Sequence, residues 1–265
     1  MSTKREDPDL EFLRYCSDED LRPLALHLAY GDDNTPRAAA SLDTNPHFAK
    51  DAANLGAHWA DLADELQRFG GDTLANLARG GEGVYYREIL RDVGKACKAP
   101  CNESWHAMQQ EGEILQTIIQ RAFKNMNHDE QQAFAKNVSD GLKDATPEQR
   151  AALIKAMGVK DLKGITPALA SAIVQTGIRA GGFLSYQILL IGLNAVSRAL
   201  VGRGLQFAAN TAAARTLGIF LGPIGWIITA SLTVPMITGP AYRVTIPAVV
   251  QIAGLRRKIF NHDAF

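Results

Sequence analysis

Cys97, Cys101 and His106 come closest to a metal-binding array, with three residues between the thiols and four between Cys101 and His106. A structural zinc site takes four nitrogen or sulfur ligands, commonly with tighter cysteine spacing. No fourth ligand follows, and Pro100 between the cysteines reads as a helix break. The expectation is ordinary thiols and no metal. His27, His47, His58, His128 and His262 are scattered, and none pairs at i, i+4 across a carboxylate as a metalloprotease helix requires.

The glycines Gly70-Gly71 and Gly80-Gly81-Glu82-Gly83, with Arg79 beside them, invite comparison with a phosphate loop. They lack the G-x-G-x-x-G order, a preceding strand and the Gly-Lys-Ser/Thr ending. Turns between helices account for them better. Arg79 next to flexible backbone is the remaining case for an anion site, so Arg79, Gly80, Gly81 and Tyr86 form the candidate ligand-binding set. There is no G-x-S-x-G elbow, and paired carboxylates such as Asp64-Glu65 lie in helical stretches where solvation is the default. No catalytic residue and no cofactor is assigned. The basic residues are thinly spread among apolar ones, which argues against a nucleic-acid partner.

The elements that would position these groups divide by charge. The chain has 265 residues and zero formal net charge. Residues 1–161 carry 27 of the 28 acidic and 19 of the 28 basic residues, a net of −8. Residues 162–265 carry nine basic residues and one acid, Asp263, a net of +8. The expected organisation is an acidic soluble helical domain over 1–161 and a basic, apolar helical region over 162–265. An apolar stretch whose charges are all cationic suits an anionic lipid surface or an acidic partner; the alternative is that it docks on the acidic half of the same chain. The opening MSTKREDPDL is polar and contains no apolar core, so a cytoplasmic start is expected, with the thiols reduced.

The acidic half predicts helices throughout. Ser17 is an N-cap signal before Leu21, Leu24 and Leu28 on one face. Thr35-Pro36 is another start signal. Trp59, Leu62, Leu66 and Phe69 form a stripe that stops at Gly70-Gly71. Tyr86, Ile89, Leu90, Val93 and Cys97 share helical spacing. A long helix is expected over Asn102–Met126, followed by a pair over His128–Gly141 and Pro147–Met157. No segment sustains period-two alternation. The fold class is all-α, a multi-helix bundle with an apolar, glycine-rich C-terminal helical region.

Within that region, 18 uncharged residues separate Arg179 from Arg198 and 27 separate Arg215 from Arg243. About 20 apolar residues span a bilayer as a helix, although Gly222-Pro223, Pro235 and Gly239-Pro240 interrupt the second stretch. The pattern suits a membrane hairpin over about Gly181–Ala241, turning near Gly202–Gly204, or short helices buried in a core. Small residues four apart, as at Gly177 and Gly181, permit close helix packing in lipid. The expected membrane-contacting residues are Phe220, Leu221, Trp226, Ile227 and Ile228, with Arg256, Arg257 and Lys258 reaching headgroups. Three cations at a helix end equally complement its dipole.

Three blocks then carry a resemblance: DLEFLRYCSDEDLRPLALHL from Asp9 to Leu28, ELQRFGGDTLANLARGGEGVYYREILRDVGKACK from Glu65 to Lys98, and GPAYRVTIPAVVQIAGLRRK from Gly239 to Lys258. In order and over nearly the whole length, the chain resembles the YaaW family of bacterial proteins. That family is distantly linked to ubiquinol–cytochrome c chaperones, which help assemble a membrane protein. The resemblance implies no catalytic residue. The function expected is a non-enzymatic, membrane-associated binding or assembly protein at the inner membrane. Its partners would be anionic lipid and a membrane-protein client or a second copy. The alternatives are a pore-forming or membrane-perturbing helical protein, and an enzyme with a site near Arg79.

Overall fold

The caps and stripes anticipated from sequence set most of the helix limits in the computed structural model, which describes residues 5–30, 37, 54–70, 83–180, 182–208 and 242–260. A 3₁₀ turn, Glu11–Tyr15, leads into α1, Asp18–Ala29, where the Ser17 hydroxyl accepts from the Asp20 N–H at 3.2 Å. A second 3₁₀ turn, Leu55–His58, precedes α2, Trp59–Gly70. α3, Tyr86–Cys97, ends at Lys98 in the left-handed conformation (φ 52°), and its apolar stripe is buried as expected.

α4, Ala107–Lys124, starts five residues later than the spacing predicts. Asn102 instead closes a turn, its side-chain oxygen accepting from the Ser104 N–H at 2.9 Å, so its own polar group competes with helix. α5, His128–Gly141, opens on a capping box between Asn127 and Glu130. α6, Pro147–Met157, opens on Thr146 and Gln149, with proline at its first position, and stops at Gly158 (φ 64°). α7, Pro167–Ala180, α8, Gly182–Ala208, and α9, Tyr242–Ile259, complete the described elements. There is no β-strand among the described residues.

These helices form two compact units, and the division is not the one at residue 161 that charge suggests. The first unit holds the Glu11–Tyr15 turn, α1, α2, α3, the start of α4 to Ile114, and α9. α9 packs against α1, α2, α3 and that turn. It buries 13 of its 18 residues, from Val244 to Arg257. A helix enclosed on nearly every side is the core of its unit rather than a lipid-facing element. The basic C-terminal helix therefore takes the docking alternative, seated among acidic N-terminal helices.

The second unit holds α4 from Leu115 onward with α5 to α8. α7 and α8 are antiparallel. A Cβ on Gly177 would lie 2.3 Å from Ile188 Cγ2, and one on Gly192 would lie 2.4 Å from Val174 Cγ1. The Ser185 hydroxyl donates to the Ile178 carbonyl at 2.9 Å. Gly177 thus serves close packing between helices of the fold. α7 ends at Ala180 and α8 begins at Gly182. The turn expected at Gly202–Gly204 does not form, because α8 runs unbroken to Ala208. Glycine alone costs a helix about 1 kcal/mol, and no proline or cap backs it there. No described helix is long and apolar enough to cross a membrane. Residues 209–241, the second arm of the expected hairpin, lie outside the described residues.

Candidate functional site

α9 ends in three consecutive cations, and each meets an acidic or carbonyl oxygen of the first unit. Glu111, on α4, is fully buried; Arg256 is 5% exposed and Arg257 4%. Arg256 Nε donates to both Glu111 oxygens, at 2.9 and 3.1 Å, and its Nη2 donates to the Asp9 carbonyl at 2.6 Å. The same guanidinium lies over the Phe12 ring, 4.3 Å from its centroid. Arg257 Nη1 stands 3.5 Å from Glu111 Oε2 and donates to the Ala253 carbonyl at 2.9 Å. Tyr86 donates its hydroxyl to Glu111 Oε1 at 3.0 Å. Lys258 reaches Asp20 at 2.5 Å.

A second buried carboxylate supports the first. Asp7 accepts the Tyr86 N–H at 2.6 Å and the Gln67 amide at 3.2 Å. It thereby satisfies a free donor at the start of α3 and fixes the ring that reaches Glu111. His27, on α1, is bonded to the Val244 carbonyl at 2.9 Å, tying in the other end of α9.

Burial is the largest single influence on Arg256 and opposes its charge, but Glu111, Tyr86 and Asp9 together outweigh it and raise the pKa. At Arg257 burial wins over Glu111 and lowers the pKa. Burial, then the Glu111 charge, pushes the Tyr86 phenol well above its ordinary range. The phenol stays neutral, and the carboxylate accepts hydrogen bonds from Arg256 and Tyr86 with Arg257 alongside at 3.5 Å. Chemically the arrangement is an ion-paired lock between the chain's two ends. Such a pair adds little net stability against an apolar replacement, yet it is costly to break from one side.

Arg256 and Arg257, expected at lipid headgroups, are thus enclosed by the fold, and Lys258 is spent on Asp20. Tyr86 is buried, which removes it from an open ligand site. Arg79, Gly80 and Gly81 lie outside the described residues, as do Phe220, Leu221, Trp226, Ile227 and Ile228. Cys97 is buried and Cys101 half-buried, and no cluster of three potential metal ligands occurs among the described residues. The sequence reading missed Glu111 and Asp7. Glu111 left a signal, since it shares the α4 face of Leu115 and Ile118 at i+4 and i+7. Asp7, in a short acidic lead, left none.

Burial also governs Cys16, 5% exposed at the foot of α1. Burial, then the Asp20 carboxylate, raises its pKa from 9.0 to about 12. A raised acid pKa favours the neutral folded form. The contribution is therefore complete below pH 9 and fades as pH rises towards 12. Iodoacetamide at pH 8.5 is expected to leave Cys16 unmodified in native protein and to alkylate it in urea, by peptide mass mapping. Equal rates in both would contradict this burial.

Among the described residues the structure is all-helical, and α9 is ion-locked into a unit that includes α1, α2, α3 and the start of α4 with Glu111. A family model for a domain of unknown function (DUF3944) matches residues 5–38, the stretch that supplies Asp7, Asp9, Phe12, Asp20 and His27 to that unit. The chain is similar to a UPF0174 protein of Helicobacter pylori strain J99, 34% identical over 95% of this chain and 92% of the relative. It is similar also to the UPF0174 protein YaaW of Escherichia coli K12, 32% identical over 96% of this chain and 95% of the relative. The chain belongs to the UPF0174 (YaaW) family. No solved structure matches it.

Proposed function

We propose that the protein is a non-enzymatic binding or assembly factor associated with the inner membrane, with residues 216–242 as its membrane-seeking element. One observation carries the reading: those 27 residues contain no charge, and they run into α9, which begins at Tyr242 and is fixed into the first unit by ion pairs. Because Arg256, Arg257 and Lys258 are used inside the fold, attraction to anionic lipid falls to other cations. Arg215 and Arg243 flank the uncharged stretch, and Arg243 is exposed. Helical units joined by an uncharged stretch of chain suit holding a client at a membrane surface. The family's distant link to assembly chaperones points the same way.

The test is flotation with phosphatidylglycerol vesicles. The parent is expected to float, and Ile227→Asp to lose most of that binding, because a carboxylate at bilayer depth costs about 2.5–3.5 kcal/mol on insertion scales. Equal flotation of the variant, or no flotation of the parent, would overturn the membrane reading.

A further inference from the structure

We infer that the groove between α5 and α8 is a docking site for a short peptide with a free carboxyl terminus. The groove belongs to the second unit, holds about 350 Å³, and does not depend on the lipid reading. A volume of this size is at the lower end for ligand sites. Leu190 and Ile191 of α8 line its apolar part, and Gly141 of α5 lets the two helices close together there, since a Cβ on it would come within 2.9 Å of Ile191.

Three carboxamides, Asn137, Gln187 and Asn194, line the same groove. Each is half-buried, and none of their side chains forms a hydrogen bond with another described residue. A carboxamide offers two donors and one acceptor group, the complement of a peptide unit. Half-burying three of them without partners is unfavourable unless water or a ligand completes their bonds. Peptide backbone presents donors and acceptors alternately and satisfies all three with one chain.

The charges select the end of that chain. Arg198 lines the groove and is exposed, with a fork suited to a carboxylate. Asp140 also lines it; its carboxylate is held by Lys143 at 2.5 Å, with the Lys136 and Arg198 charges adding to its stabilisation. Asp144, exposed at the rim, favours an ammonium or a basic side chain elsewhere on the peptide. The groove therefore accepts a carboxylate at Arg198 without facing an uncompensated acid at Asp140.

The experiment titrates full-length protein with acetyl-alanyl-leucyl-alanine, free or amidated at its C-terminus, while NMR follows the side-chain amides of Asn137, Gln187 and Asn194. The free acid is expected to shift all three saturably at millimolar concentration. Amidating the peptide, or replacing Arg198→Ala, is expected to weaken binding by about tenfold or more. Asn194→Leu tests the amides separately, and circular dichroism checks that both variants keep their helices. Failure of the three amides to shift, or equal shifts with the amidated peptide and in Arg198→Ala, would overturn the proposal. Vesicle flotation is measured apart from this and can fail without affecting it.

Discussion

Glu111→Ala is expected to lower the stability of the first unit by about 3–5 kcal/mol, the cost of removing one partner of a buried ion pair. The variant leaves Arg256 and Arg257 enclosed at 5% and 4% exposure with no carboxylate between them. It also strands the Tyr86 hydroxyl, which donates to Glu111 at 3.0 Å. A charge of this kind cannot be relieved by rotation to solvent while α9 keeps its place. Urea unfolding followed by helical circular dichroism measures the loss as a lower midpoint. Glu111→Gln keeps volume and one acceptor and should cost less. A change below about 1 kcal/mol for the alanine variant would mean the pair is as weak as a surface contact.

Gly177→Ala tests the second unit, where its sign is informative. In an open helix the change stabilises by about 1 kcal/mol. Here the new methyl would lie 2.3 Å from Ile188 Cγ2 and 2.6 Å from its Cβ. Rotation does not move a Cβ, so α7 and α8 must separate. Overpacking costs typically about 1–3 kcal/mol and occasionally more, and the net expectation is about 2 kcal/mol of destabilisation. Ile188→Ala in the same chain should recover part of it, since the two sites share one contact. A stabilised Gly177→Ala would place that glycine on an open helix face and contradict the close approach of α7 and α8.

Much of the fold is legible in sequence because its signals are local. Ser17, Asn127 with Glu130, Thr146 with Pro147, and Gly158 each act within one helical turn, and the helices follow them. The late start of α4 shows the limit, since Asn102 offers either a cap or a turn and only its surroundings decide. The pairing of the two ends of the chain is not local. The acid-poor C-terminal half and the acid-rich N-terminal half are visible as charge counts. Nothing in the spacing says that Arg256 meets Glu111, 145 residues away, rather than a phosphate headgroup. Both are anions with the same appetite for a guanidinium. What separates them is burial, and burial of α9 depends on α1, α2 and α3 assembling around it. A helix apolar on every side is compatible with a bilayer or with a protein core.

The most direct measurement of the central claim, that the terminal cations serve the fold, is a double-mutant cycle between Glu111 and Arg256. Glu111→Gln, Arg256→Met and the double variant are unfolded in urea beside the parent. The lock predicts strong non-additivity, with a coupling of about 1.5–3 kcal/mol, because each single change removes the Glu111–Arg256 interaction, which the double change can lose only once, while Arg257 stays beside position 111 in all four proteins. Additivity within about 0.5 kcal/mol would contradict the lock and return Arg256 to the surface, free for lipid.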